Sequence, residues 1–351
     1  VFISFAISIL FANLFNYYLS DSFSLISFLS NYLKIISIAL MVCFTPTLIK
    51  SLDLEKFFKA LKLVVLFHCI IIILDHYVIY PWGFENGLSF SAGEHEGLKN
   101  RVRGLFEEPS NFAIYVGITL ALIMQYEVLF KSKILRYYDY LIIFSGLVAS
   151  TSITALVIIL INLTQIIYIR KSNLSGLRLS SRSFIEKISI IAIPLTLLPI
   201  ILSSSLSYIS ERITDSGNLA RYYGSTMAVY KVLQESPLIG FGMGGENQSK
   251  FMVDHGLDKK VEFLLIDGYE QQTSYPGSYF FSVLGSSGII ALLIFYLIIF
   301  GMIYKPETRF LGILIFAIGI TKGGAFDLYL WLIITIAFSI GYIYKNSILV
   351  E

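Results

Sequence analysis

The residues best suited to chemistry are arginines and carboxylates gathered in two segments. The first is Arg101-Val102-Arg103-Gly104-Leu105-Phe106-Glu107-Glu108-Pro109-Ser110-Asn111, at the start of an apolar run. A guanidinium binds phosphate oxygens through paired hydrogen bonds. Two arginines at a membrane mouth therefore suit a phosphorylated ligand. They equally suit an interfacial cluster that pairs with its own carboxylates, since exposed ion pairs are common and weak. The second segment holds Glu211-Arg212 and Asn218-Leu219-Ala220-Arg221-Tyr222-Tyr223-Gly224. Residues 218–235 read as a helix, with Asn218 as N-cap and Pro237 and Gly240 as its end. Arg221 and Ser225 share a face of it. An arginine dipping into a bilayer costs roughly 2.5–3.5 kcal/mol unless it is partnered. A phosphate would offset that cost; a helix lying flat in the headgroups would avoid it.

Other candidate motifs read more plainly. Pro237-Leu238-Ile239-Gly240-Phe241-Gly242-Met243-Gly244-Gly245 superficially resembles a dinucleotide loop but lacks the flanking strand and helix. A turn with close backbone packing is the better account. Glu94-His95-Glu96 are adjacent and cannot easily converge on one ion, and no Asp-x-Asp pair occurs, so no metal site is expected. His255, the one histidine of its loop, is either a base or simply solvated. His68 is expected to bond across helices. Asp75 and His76 lie near the outer end of a span, lining a cavity or sitting at the interface. Lys322 and Asp327 flank a turn and are expected to pair. Cys43 and Cys69 fall inside apolar runs, so neither a disulfide framework nor a thiolate zinc site is expected.

The elements that must position these residues follow from composition. Of 351 residues, 56% are hydrophobic and 14% charged, against about 25% charged in a soluble domain. A soluble core cannot absorb that much apolar surface. A soluble enzyme, a nucleic-acid binder and a disordered chain are excluded; an all-α polytopic membrane protein remains. The net charge of +2 adds no argument for nucleic acid. No cleavable signal peptide is expected, because the first apolar run lacks a basic flank and a small-residue cleavage site. A chain starting at Val1 without Met suggests a missing N-terminal piece.

About ten spans are predicted, near 2–19, 32–49, 62–79, 111–130, 139–150, 152–169, 188–204, 278–303, 310–321 and 328–344. Segment 51–60 reads as an amphipathic interfacial turn of helix leading into the third. Reading 139–169 as two short helices turning at Ser150-Thr151-Ser152 puts 15 of the 26 basic residues on one side, including Lys50, Lys62, Lys131, Arg136, Arg178, Lys305 and Lys345. The Lys/Arg-rich side is the cytoplasmic one, and both termini fall there. The opposite face then carries two loops, 80–110 and 205–277, on an otherwise single membrane domain. Chemistry is expected in those loops.

Taken together, these segments resemble the O-antigen polymerase (Wzy-type) and O-antigen ligase superfamily. Three signatures match in order and spacing: Arg-x-x-Gly-x-x-x-Glu-Pro-Ser (Arg101 to Ser110) before a span; a large outer loop with an arginine-bearing helix (Arg221) ending in Pro-Leu-x-Gly-x-Gly (Pro237 to Gly242); and a Gly-Ile-Ile entry into the next span (Gly288 to Ile290). The short helix pair around Ser150 is similar as well. The likeness covers about residues 63 to 303. Ligases of the family carry a His-Asn pair about eleven residues before that last glycine. Here Gly277 and Ser278 stand there, which favours polymerase.

The resemblance implies a GT-C-like fold with short helices in the large periplasmic loop of a bacterial inner-membrane protein. It implies an inverting, metal-independent polymerase that needs no cofactor and joins undecaprenyl-pyrophosphate-linked oligosaccharides. A hydroxyl of the acceptor sugar attacks the donor's anomeric carbon and the lipid pyrophosphate leaves. Arginines at the leaving group stabilise charge that builds up in the transition state. Arg101, Arg212 and Arg221 would grip pyrophosphate, with Arg103 auxiliary. Glu108, Glu107 or His255 would act as base, with Glu108 favoured from its place in the motif. Glu107, Tyr222 and His255 are expected near substrate. A chain-length regulator is a conceivable partner, and the lipid bilayer a necessary one. Two alternatives stay open: a ligase moving finished glycan onto lipid A core or protein, and a lipid-linked oligosaccharide flippase. Against the flippase, Lys34, Asp75, Glu127 and Asp139 all lie toward span ends rather than along a central path.

Overall fold

A computed structural model describes residues 2–19, 25–79, 105–106, 109–150, 152–174, 229–242, 279–321 and 327–348. Among the described residues every regular element is a helix. In chain order these are α1 (Phe2–Leu19), α2 (Leu25–Ser51), α3 (Leu54–Leu74, continued by a π-helical turn Asp75–Ile79), α4 (Pro109–Phe130), α5 (Tyr137–Ala149) and α6 (Ile153–Leu174), then α7 (Tyr279–Tyr304), α8 (Arg309–Thr321) and α9 (Leu328–Ile348). Residues 229–235 are helical too.

Nine of the predicted apolar runs coincide with α1–α9; the run 188–204 lies outside the described residues. Five segments are long and apolar enough to cross a membrane: Tyr32–Ser51, Leu54–Ile79, Pro109–Phe130, Ser282–Tyr304 and Leu328–Ser347. Their outward faces are apolar at helical spacing, as in Leu40, Phe44 and Leu48 of α2, Leu63, Phe67, Ile70 and Leu74 of α3, and Leu293, Leu297 and Phe300 of α7. In water such stripes are an aggregation hazard; against lipid they cost nothing.

The chain divides into two units, Val1–Lys50 with Ser210–Ser339 and Ser51–Ile209 with Ile340–Glu351. In the first, wholly buried Trp331 packs on Phe5 of α1 (ring centroids 4.9 Å apart) and edge-on to Phe295 of α7 (6.1 Å). The α7–α8 turn is tied by Thr308 Oγ1 donating to Met302 O (2.8 Å) and Arg309 Nε to Ile303 O (3.1 Å).

The second unit is built around α4, of whose apolar stretch 83% is buried, against 22% for α3. Lys62 faces Asp139 and Cys69 faces Gly146, so α3 and α5 run parallel in constant register. A Cβ on Gly146 would stand 2.8 Å from Cys69 Cβ; only a small residue allows this approach. Phe58 stacks on Tyr126 (4.2 Å) and His68 packs on Tyr115 (5.4 Å), so α4 runs antiparallel to α3. The break between α5 and α6 falls at Ser150–Ser152, as the charge pattern requires.

The segment 51–60, read as an amphipathic turn of helix leading into the third span, is helical from Leu54 and continues unbroken as α3, after α2 ends at Ser51. Burial of Phe58 against Tyr126 draws this stretch into the bundle as the first turns of α3. Asp53 caps it, its Oδ1 accepting from Lys56 N (3.2 Å); that backbone N–H holds the Asp53 carboxyl below the usual carboxylate range.

One end of this unit carries a polar clasp. Glu127 Oε1 accepts from Ile134 N and Leu135 N, both at 2.6 Å. Asp139 Oδ2 accepts from Arg136 N (2.7 Å) and from Lys62 Nζ (3.3 Å), and Lys62 Nζ also donates to Ile134 O (3.1 Å). The α4–α5 link is thus held by a carboxylate on each side, Asp139 buried and Glu127 half-buried.

Candidate functional site

Arg101, Arg103, Glu107, Glu108, Arg212, Arg221, Tyr222 and His255 lie outside the described residues, as do Glu94, His95, Glu96 and Lys322. Described residues flank those segments in sequence.

The first anchor belongs to the Arg101–Ser110 motif. Pro109 opens α4, where its missing N–H is no loss, and Ser110 behind it is buried. The Phe106 ring turns back onto the bundle, 5.2 Å from His68, 5.4 Å from Tyr115 and 5.6 Å from Phe112. His68 does not bond across helices: its Nδ1 donates to Val64 O of its own helix (2.7 Å). The imidazole is thereby fixed as an aromatic wall for Phe106. Asp327 caps α9 by accepting from Tyr329 N (2.9 Å); the pairing expected with Lys322 lies outside the described residues.

The second anchor joins two of the sequence signatures into one contact. The helical residues 229–235 are followed by a turn in which Gly240 N donates to Ser236 O (2.9 Å). Phe241 N then donates to Gly285 O (2.7 Å), and Ile289 N donates to Pro237 O (2.8 Å). Gly285 to Ile289 belong to α7, which is not one helix but two pieces separated at Gly288 (φ 76°, ψ −176°). A helix broken inside a membrane frees backbone groups that must be satisfied within the protein. Here the glycine turn supplies the partners. Gly240 is also at positive φ, 66°, and its missing Cβ makes room for Gly285 O; the missing Cβ of Gly288 makes room for the Leu238 carbonyl. The Phe241 ring closes over Gly285, whose Cβ would lie 2.7 Å from it. The reading of Pro237–Gly245 as a close-packed turn therefore holds for the described residues 237–242, and the surface it packs on is the Gly-Ile-Ile entry.

Fold and anchors together define the class: among the described residues every regular element is a helix, with apolar outward faces and broken or short helices held by internal polar contacts, which fits a multi-pass membrane protein. No family model matches the chain, and no curated protein or solved structure matches it either.

Proposed function

We propose that the chain is a polysaccharide polymerase of the Wzy type. It would span a bacterial inner membrane with about ten helices in a GT-C-like arrangement, termini in the cytoplasm. Its work would be to join undecaprenyl-pyrophosphate-linked repeat units on the periplasmic face. The observation that carries this reading is the junction of Pro237–Gly242 with Gly285–Ile289. Signatures separated in sequence meet in space, as parts of one working unit must. That contact fixes the chain a short way beyond Arg221, and α4 fixes it just beyond Arg101–Glu108.

In this reading Arg101, Arg212 and Arg221, with Arg103, neutralise the departing pyrophosphate. The acceptor hydroxyl forms the new C–O bond as the anomeric C–O bond to the lipid pyrophosphate breaks, and Glu108 takes the proton. Replacement of Arg221 by Lys or Ala is expected to abolish long polymer in cells that express the variant normally, because lysine offers no bidentate fork. Full polymer length in either variant would sink the assignment. With no Asp-x-Asp pair to hold a cation, polymerisation is expected to proceed unchanged in EDTA; loss of activity there would refute the metal-free step. Ligase and polymerase separate on deletion of the gene: loss of ligation with accumulating lipid-linked polymer marks a ligase, single repeats still attached to the lipid core or protein a polymerase.

A further inference from the structure

The α2 helix carries charge at two places only, Lys34 and Lys50. At 1.5 Å per residue these positions stand about 24 Å apart along the axis, against a hydrocarbon core about 30 Å thick. A lysine lays its stem along apolar surface and carries its ammonium to water, so the two side chains reach opposite interfaces. Lys34 marks one headgroup level. Tyr32 beside it is exposed, in keeping with the tyrosines that gather at membrane interfaces.

At that level Leu29, Ser30, Leu33, Lys34 and Ser37 of α2 and Leu328 of α9 line an open cavity of about 430 Å³. The lining falls within one unit of the fold. Ser30, Lys34 and Ser37 share a face at helical spacing, and all three are exposed. Ser37 Oγ donates to Leu33 O (2.8 Å), so its proton is engaged on its own helix. Neither Lys34 nor Ser30 has a hydrogen-bond or ion-pair partner among the described residues. Asp327, which precedes Leu328 at the far wall, accepts from Tyr329 N (2.9 Å) and makes no ion pair with Lys34. Toward Lys50 the exposed face of Leu33 continues through Leu40, Phe44 and Leu48, an apolar stripe at helical spacing.

Charge and stripe together select the ligand. An ammonium without a counter-ion, at the head of an apolar track, calls for an anion that carries hydrocarbon. We propose that this cavity holds the headgroup of an anionic phospholipid of the phosphatidylglycerol type. Lys34 pairs with the phosphate. Ser30, one turn nearer the start of α2, hydrogen-bonds the headgroup hydroxyls, and the acyl chains follow Leu33, Leu40 and Phe44. A zwitterionic lipid is the poorer match, because its own cation would be brought up to Lys34. A lipid pyrophosphate is poorer too, because it carries more charge than one lysine offsets. The inference stands independently of the polymerase reading.

The test titrates the full chain in detergent micelles with phosphatidylglycerol and, separately, with phosphatidylcholine of the same acyl chains, and counts bound lipid by native mass spectrometry. One phosphatidylglycerol is expected to bind about tenfold or more tighter than phosphatidylcholine, the worth of one charge-assisted hydrogen bond. Lys34→Met is expected to remove that preference. Lys56→Met, at a largely exposed lysine of α3, is expected to leave it unchanged. Leu328→Trp fills the cavity from its far wall without touching the charge, and is expected to weaken phosphatidylglycerol about as much as Lys34→Met. Equal affinity for the two lipids, or binding that either Lys34→Met or Leu328→Trp leaves unchanged, overturns the site. Displacement of phosphatidylglycerol by an equal concentration of undecaprenyl pyrophosphate, or of glycerol 3-phosphate, which has no chains, overturns the choice of occupant.

Discussion

Gly288→Ala is expected to be among the most damaging single-methyl changes in the chain. The residue sits at φ 76°, where a Cβ costs about 1–3 kcal/mol. The added Cβ would also run into the Leu238 carbonyl carbon and oxygen. These are backbone atoms, so no rotamer change relieves the clash; the turn must leave α7. Departure breaks the Ile289–Pro237 and Phe241–Gly285 hydrogen bonds and leaves the groups at the break of α7 unpaired. Strain and lost pairing together amount to at least about 3 kcal/mol. The measurement is thermal unfolding in detergent beside polymer length in cells, both of which should fall. Gly301→Ala is the control. Nothing lies within 4 Å of its Cβ position, so helix propensity favours alanine by up to about 1 kcal/mol. Equal melting temperatures for the two variants would show that the junction contributes little.

Lys62→Met is expected to destabilise the α3–α4–α5 unit by about 3 kcal/mol. Asp139 has 0% side-chain exposure and Lys62 15%, so the pair sits largely out of water. Removing one partner leaves a buried charge uncompensated, which costs about 3–5 kcal/mol in a dry site; the residual exposure of Lys62 argues for the lower figure. Asp139 Oδ1 already has no partner, so the carboxylate has no second cation to fall back on. The ammonium bond to Ile134 O is lost as well. Replacing both charges, Lys62→Met with Asp139→Leu, is expected to recover part of the loss, since an apolar pair of similar volume does not bury a charge. A double variant that melts below Lys62→Met would contradict that account. It would place the main role of Asp139 in capping Arg136 N.

Much of the helical order is written in local signals. The apolar runs place α1–α9, and the distribution of Lys and Arg was enough to split 139–169 at Ser150. The first turns of α3 are legible as an amphipathic turn of helix from Lys56, Lys59 and Glu55, whereas the burial of Phe58 that joins them to the bundle depends on Tyr126, far away in sequence. The break in α7 was invisible for a similar reason. Ser286-Ser287-Gly288 is ordinary inside an apolar run, and only the glycine turn ending at Gly242 explains why Gly288 adopts its conformation. The loop arginines were legible as chemistry, but from residue types alone, and their geometry lies outside the described residues. Asp75 stood out as a charge near a span end. Its burial depends on how α3 packs against its neighbours, which no single window of sequence contains.

The junction also has a consequence for how the stretch between Gly242 and Tyr279 tolerates change. Gly242 and Tyr279 bound the segment 243–278 in sequence, and the Phe241–Gly285 hydrogen bond holds those two points near each other. Closing a chain between fixed, neighbouring ends carries an entropy penalty that grows only with the logarithm of its length, about 0.6 kcal/mol for each doubling. The segment can therefore gain or lose many residues while the clasp beneath it, a few hydrogen bonds and three absent methyl groups, stays the same. Exchange of 243–278 between those two fixed ends therefore carries little cost in closure entropy.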